Sequence, residues 1–264
     1  MTIASTKDLG IETHGHVTLL EIRRPPLNFF DLDLIRQIAG TLDKLDEDAD
    51  CRAVVLAAQG KAFCAGANFN RPNMGPNDDA ASGTGTTGDL YREAVRIFSN
   101  KKPIIAAVQG AAIGGGLGLA VSADFRVTCP EARFAANFTR LGFHPGFGLT
   151  VTLPEIIGKT NAALMFYTSR RVTGEDAFKM GLANVLVPQD QVRDAAMKLA
   201  GEIAENSPLG LISTRATMRA GLAARVKAQT DHELAEQTWL RATEDFKEGI
   251  KATEERRVPN FKGK

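Results

Sequence analysis

Apolar and polar positions first organise in HVTLLEI, residues 16–22, where aliphatic and β-branched side chains predict a strand. RRPPLN follows, and its two prolines, which have no N–H to donate, force a turn. Apolar residues then recur at helical spacing from Asp31 to Leu45. RAVVLAA, residues 52–58, reads as a buried strand closed by the glycine-rich loop QGKAFCAGANFNRPNMG. Further along, the pattern predicts a helix over Leu90–Phe98 and a strand over Pro103–Val108. The triple glycine of AAIGGGLGLA leads into an apolar helix from about Gly115 to Ser122. Short strands are predicted at Phe125–Thr128, Ala132–Ala135 and Val185–Val187, with helices between them. Beyond Gln191 the periodicity is helical throughout, so the expected architecture is an α/β core over residues 1–190 followed by a helical region over 191–264. Between Arg71 and Asp89 the chain is rich in Gly, Asn, Thr and Asp, with too few large apolar groups to offset the entropy of ordering it, and it reads as a mobile loop.

Composition narrows the function classes. Of the 264 residues 44% are hydrophobic, enough for a sizeable core. Lys and Arg (32) nearly balance Asp and Glu (31) and are interspersed with them, so no field is built up for nucleic acid or anionic lipid. Cys51, Cys64 and Cys129 are odd in number and form no CxxC pair, which argues against a disulfide framework or a zinc site and fits a reducing cytoplasm. MTIASTKDLG lacks the features of a signal peptide. Residues 104–121 are apolar enough to imitate a membrane span, but five glycines make them a poor continuous helix, and no membrane partner is expected.

Glycine-rich turns between strand and helix suggest phosphate cradles, yet the known fingerprints fail. After Gly114 and Gly116 the third glycine of GxGxxG is replaced by Leu119, and GKT at Gly158–Thr160 lacks the earlier P-loop glycine, which is Leu153. GxSxG and HExxH are absent. Two loops remain, CAGAN (Cys64–Asn68) and GGG (Gly114–Gly116), each following an apolar strand and each exposing backbone N–H groups. Two such donors on one carbonyl oxygen make an oxyanion hole, where a single donor is typically worth about 2.7–4 kcal/mol in the transition state. The alternative is that the glycines only permit tight packing.

AFCAGANF, KKPIIAAVQGAAIGGGLGLAVSADFRV, LGFHPGFG and TGEDAFKMGLANVLVP, in this order, together with the closing ERRVPNFKGK, resemble the crotonase, or enoyl-CoA hydratase/isomerase, family from about Val17 to the C-terminus. The resemblance implies a spiral of ββα turns with a helical trimerisation region, a homotrimer or a hexamer of paired trimers, and an acyl-CoA thioester as ligand. Coenzyme A is then part of the substrate, and neither a cofactor nor a metal is implied. Carried over by position, the oxyanion hole falls on the N–H groups of Ala67 and Gly115, and the adenine and pantetheine contacts on Pro26, Leu27, Ala65 and Asn68. Arg256 falls where a neighbouring subunit meets the coenzyme phosphates.

In similar hydratases two glutamates flank the water that adds to the double bond. Their positions here are Gly118 and Phe138, so both carboxylates are missing and the acyl pocket is more apolar. His144 is the nearest candidate for proton transfer, with a structural turn histidine as the alternative. Asn137 and Arg140 are candidates for a substrate carboxylate or carbonyl, and Asp89 and Glu93 for reaching in from the loop. His14 and His16 lack a third metal ligand. Leu234, Trp239, Leu240 and Phe246 are candidate apolar contacts between subunits or onto the core. The expected function is therefore thioester enolate stabilisation by an enzyme other than an ordinary two-glutamate hydratase, with isomerase, hydrolase and C–C lyase chemistry open. A non-catalytic acyl-CoA binding or carrier protein is the rival.

Overall fold

The computed structural model describes residues 3–68 and 86–264. Most of the segment read as a mobile loop, residues 71–85, lies outside the described residues; its end belongs to a helix. In chain order the elements are β1 (Leu9–His14), β2 (Val17–Ile22), α1 (Leu32–Asp46), β3 (Ala53–Ala58), α2 (Thr87–Ser99), β4 (Ile104–Val108), β5 (Ala111–Ile113), α3 (Gly115–Ser122), β6 (Phe125–Thr128) and β7 (Arg133–Ala135). After these come α4 (Leu149–Thr168), β8 (Val172–Thr173), α5 (Gly174–Lys179), β9 (Val185–Leu186), α6 (Val192–Ala204), α7 (Pro208–Met218), α8 (Leu222–Leu240) and α9 (Glu244–Glu254).

The strands form a six-stranded sheet in the order β1-β2-β3-β4-β6-β9 and a three-stranded sheet in the order β5-β7-β8. Only the β1–β2 hairpin is antiparallel in the larger sheet. In the units β4–β5–α3 and β6–β7–α4 the first strand joins the large sheet and the second the small one, which is the expected ββα spiral. Strands β2, β3 and β4 are buried at every position, and this accounts for their continuous apolar runs. Helix α6 lies across β2, β3, β4 and β6, while α8 packs on α2 and α4, so the helices after residue 191 complete the core that the strands begin. Asp124, just before β6, receives Arg215 at 2.9 Å and Arg219 at 3.0 Å and ties α7 to the sheet.

Helices α1 and α2 start at side-chain caps. Asp31 accepts from Leu34 N–H, and Thr86 with Asp89 forms a capping box. Of the candidate apolar contacts, Leu234, Leu240 and Phe246 pack partly buried on the core, whereas Trp239 is 57% exposed. Cys51, Cys64 and Cys129 are free and buried. Among the described residues no helix is long and apolar enough to cross a membrane.

Candidate functional site

The loops after β3 and β5 meet backbone to backbone. Phe63 and Cys64 N–H donate to Ala111 O at 3.0 and 2.9 Å, and Ile113 N–H donates to Cys64 O at 3.0 Å. At Gly116 the approach is so close that a Cβ would stand 2.0 Å from Cys64 O. Gly66 (φ +84) turns the first loop in the left-handed region, and a Cβ there would lie 3.4 Å from Gly115 N and 2.8 Å from Ile113 O. Asn28 secures the preceding RRPPLN turn: its amide donates to Gln59 O and Ala62 O, and its oxygen accepts from Arg24 N–H. Ala65 N–H donates to Leu27 O at 3.0 Å, which holds this turn beside the CAG loop.

Ala67 and Gly115 line one cavity of about 200 Å³, together with Phe30, Ala65, Asn68, Asn137 and Phe138. Gly66, Gly114 and Gly116 are buried, but Ala67 and Gly115 remain half-buried and accessible. Gly115 is the first residue of α3, whose N-cap Gly114 supplies no side-chain acceptor, so its N–H is among the donors that a helix leaves without an intrahelical partner. Phe30 N–H donates to Gly66 O at 3.0 Å in a parallel bridge between Phe30 and Ala67, and that bond does not use the Ala67 N–H. Below the loop, burial pushes the Cys64 thiol up to about 12, against the lowering effect of the Gly66 and Phe30 N–H groups. Cys64 is thus no nucleophile near neutral pH.

Another wall of the cavity is built from side chains on α2 and α8. Tyr91 Oη donates to Gln237 Oε1 at 3.0 Å. Burial first, and the charge of Glu233 second, push the Tyr91 hydroxyl well above its ordinary range; Arg241, Gln237 and the Phe147 N–H act in the opposite direction. The Gln237 amide donates to His144 O at 2.9 Å, and Arg241 donates to Thr87 Oγ1 at 3.2 Å and Gln237 Oε1 at 3.4 Å. Beneath these, Glu233 accepts from Gly148 N–H at 2.8 Å and Thr150 Oγ1 at 2.6 Å; burial raises its carboxyl to about 7 despite those bonds.

Several candidates stand elsewhere. Gly118 is buried and does not line the cavity, because the space over its Cα is filled by Phe147, whose side chain would lie 2.7 Å from a Cβ there. His144 lines a separate cavity of about 850 Å³ beside Trp239 and Tyr167, with Nδ1 2.8 Å from Pro145 O. Its carbonyl, not its ring, meets Gln237, while the ring stands edge-on to His232 of α8 with centroids 5.9 Å apart. Arg140 is exposed and reaches Arg257 O, Glu93 pairs with Arg36 and Arg96, and Asp89 closes the α2 cap. Pro26 and Leu27 lie exposed on the adjoining turn, and Arg256 (φ +54) is exposed just after α9. His14 ends β1 beside Glu12, and His16 contacts Asp50 O; among the described residues no group of three His, Cys, Asp or Glu could hold a metal ion.

The family model for enoyl-CoA hydratase/isomerase matches residues 12–264. The chain belongs to that family. It is 33% identical to the 2,3-dehydroadipyl-CoA hydratase of Escherichia coli, over 97% of this chain and 99% of the relative. It is 29% identical to the 1,2-epoxyphenylacetyl-CoA isomerase of the same organism, over 95% of this chain and 96% of the relative. In three dimensions it resembles the enoyl-CoA hydratase/isomerase of Pseudoalteromonas atlantica, with a TM-score of 0.86 and 29% identity over 97% of this chain and all of the other.

Tyr91, Gln237 and Arg241 are wall residues of this family member that the sequence motifs do not announce. One signal exists: Thr230, Glu233, Gln237 and Arg241 recur at helical spacing along α8 and its cap, a polar stripe on a face that is buried at its first three members.

Proposed function

We propose that the protein binds an acyl-CoA thioester with its carbonyl oxygen between the N–H groups of Ala67 and Gly115, and that these donors stabilise the enolate-like charge developing on that oxygen. The observation that carries this reading is that the two residues come from separate loops, stay half-buried beside the buried Gly66, Gly114 and Gly116, and line one cavity. The positive end of α3 adds to the field at Gly115. At about 200 Å³ the cavity is smaller than the roughly 300–1,000 Å³ that encloses a drug-sized ligand, which suits the acyl portion and leaves the nucleotide outside. In this reading Pro26, Leu27, Ala65 and Asn68 contact adenine and pantetheine, and Arg256 serves a neighbouring subunit's coenzyme phosphates.

Hydration by paired glutamates is not the chemistry this site favours. Water addition needs a base at C3 and an acid at C2, and the two positions hold Gly118 and Phe138, the first covered by Phe147 and the second in the wall. Among the described residues lining the cavity there is no Asp, Glu or His, and Tyr91 keeps its proton near neutral pH. Isomerisation, thioester hydrolysis or C–C cleavage through the polarised thioester fits better. The same lack of carboxylates favours a second reading, a non-catalytic acyl-CoA carrier.

Two assays separate these readings. Crotonyl-CoA hydration is expected to run at least about 10²-fold below a two-glutamate relative, and mass spectrometry of an acyl-CoA panel is expected to find at least one thioester turned over. Binding without any turnover would establish the carrier instead. Crotonyl-CoA hydration at the relative's rate would overturn the proposed chemistry.

A further inference from the structure

We propose that the acyl group this cavity prefers carries an aromatic ring close to the thioester, so that the ligands are arylacyl thioesters; the inference rests on the acyl-CoA reading above. Six of the described residues that line the cavity are aromatic, namely Phe29, Phe30, Tyr91, Phe138, Phe143 and Phe147, in a chain of which only 6% is. Leucine and isoleucine together supply four. Size agrees with this composition. An apolar cavity of about 150 Å³ is enough to bind benzene, and the volume of about 200 Å³ here leaves room for one ring and a short link to its carbonyl.

The rings begin where the carbonyl is expected. A Cβ at Gly115 would stand 2.4 Å from Phe30 Cζ, and one at Gly114 would stand 3.7 Å from Phe138 Cζ, so both ring tips lie against the turn that offers a thioester donor. They belong to two pairs. Phe30 leans on Phe147 with centroids 5.6 Å apart and planes at 43°, and Phe138 meets Phe143 close to edge-on at 5.5 Å and 67°. Neither pair is stacked in parallel, so no ring covers the whole of its partner's face, and a flat guest finds both faces and edges to meet in the offset and edge-to-face arrangements that aromatic groups favour. The rings are also held before any ligand arrives. Phe30, Phe138, Phe143 and Phe147 are each no more than 6% exposed, and Tyr91 is anchored by its hydroxyl, which donates to Gln237 Oε1 at 3.0 Å. An aryl group entering such a cage loses little to reorganisation. A saturated group of the same area gains the burial alone, whereas the aryl ring gains aromatic contacts beyond it.

The test is isothermal titration of the full chain with carba(dethia) analogues, in which a methylene replaces the thioester sulfur and blocks hydrolysis. The benzoyl, phenylacetyl and 3-phenylpropanoyl analogues are compared with their three cyclohexyl counterparts, and the hexanoyl analogue serves as the linear reference. At least one aryl member is expected to bind at least about threefold tighter than both its cyclohexyl counterpart and the hexanoyl analogue. Phe138→Leu and Phe143→Leu, checked for folding by thermal melting, are each expected to narrow that ratio. Phe178→Leu, at an exposed ring of α5 outside the cavity, is expected to keep it. If no aryl member of the wild-type series exceeds both of its references, the inference is overturned, and binding of the hexanoyl analogue leaves the acyl-CoA reading standing. Failure of all seven analogues to bind would overturn both. A preference unchanged in both folded cavity variants would overturn its assignment to these rings.

Discussion

The cavity wall formed by the loops after β3 and β5 carries its polar groups, Asn68 apart, on the backbone, whereas the wall formed by α2 and α8 carries them on side chains that hold one another. The difference sets what each wall can do. Backbone donors fixed by close loop contacts, such as Gly116 against Cys64 O, are insensitive to most side-chain changes and suit a function common to many acyl groups. Tyr91, Gln237 and Arg241 hold one another through side-chain hydrogen bonds, so a substitution at one is felt at the others. In the reading proposed above, polarising the thioester falls to the first kind of structure.

Breaking the backbone wall is expected to have the largest effect. Gly115→Pro deletes one N–H and is predicted to reduce turnover by about 10²–10³-fold in a steady-state assay of the true substrate. Space must be controlled separately, because a Cβ at Gly115 would stand 2.4 Å from the Phe30 ring. The double variant Gly115→Ala with Phe30→Leu keeps the N–H and makes room, so it is expected to retain most of the wild-type rate. Equal losses in the two variants would mean that shape, not the donor, matters at Gly115.

The second prediction concerns the packing behind the backbone wall. Gly118→Glu would force a carboxylate into the space that Phe147 fills, and is expected to cost about 3 kcal/mol in urea denaturation without raising crotonyl-CoA hydration. A stable variant with faster hydration would show that Phe147 yields and that the glutamate position is still usable.

The smallest effect should come from Glu233, which lies one turn before Gln237 on the side-chain wall. Its folded pKa, about 7, is raised by burial above the ordinary 4.5. Between these values the folded state binds more protons than the unfolded one, so stability is full below about pH 4.5 and falls as pH rises through 7. The loss between pH 5 and 7 is expected to be about 2 kcal/mol, and Glu233→Gln should flatten it in denaturation curves measured across that range. Identical pH slopes for the two proteins would contradict this assignment.

The two walls also differ in how much of them could be read from the sequence. The N–H pair sits in local motifs, CAGAN and GGG, and the helix expected from Gly115 to Ser122 has those bounds in the structure. Strand β6 likewise spans the expected Phe125–Thr128. By contrast, β5 is three residues long and was hidden inside the apolar run from residue 104 to 121, and β1, interrupted by Gly10 and half exposed, offers little alternation. The Tyr91–Gln237 contact joins residues 146 positions apart, and no local pattern specifies it. His144 was a plausible substitute acid by sequence position, but the turn at Pro145 directs it to the other cavity. Gly118 read as a lost carboxylate; what the sequence did not reveal is that Phe147 has taken the space.

Isotope-edited infrared spectroscopy of a bound, unreactive acyl-CoA labelled with ¹³C at the thioester carbonyl tests the central claim most directly. Two fixed N–H donors should move the carbonyl stretch of bound hexanoyl-CoA below its position in water, and Gly115→Pro should return most of that shift while the ligand stays bound. A carbonyl band in the wild-type complex at or above its position in water would contradict the account.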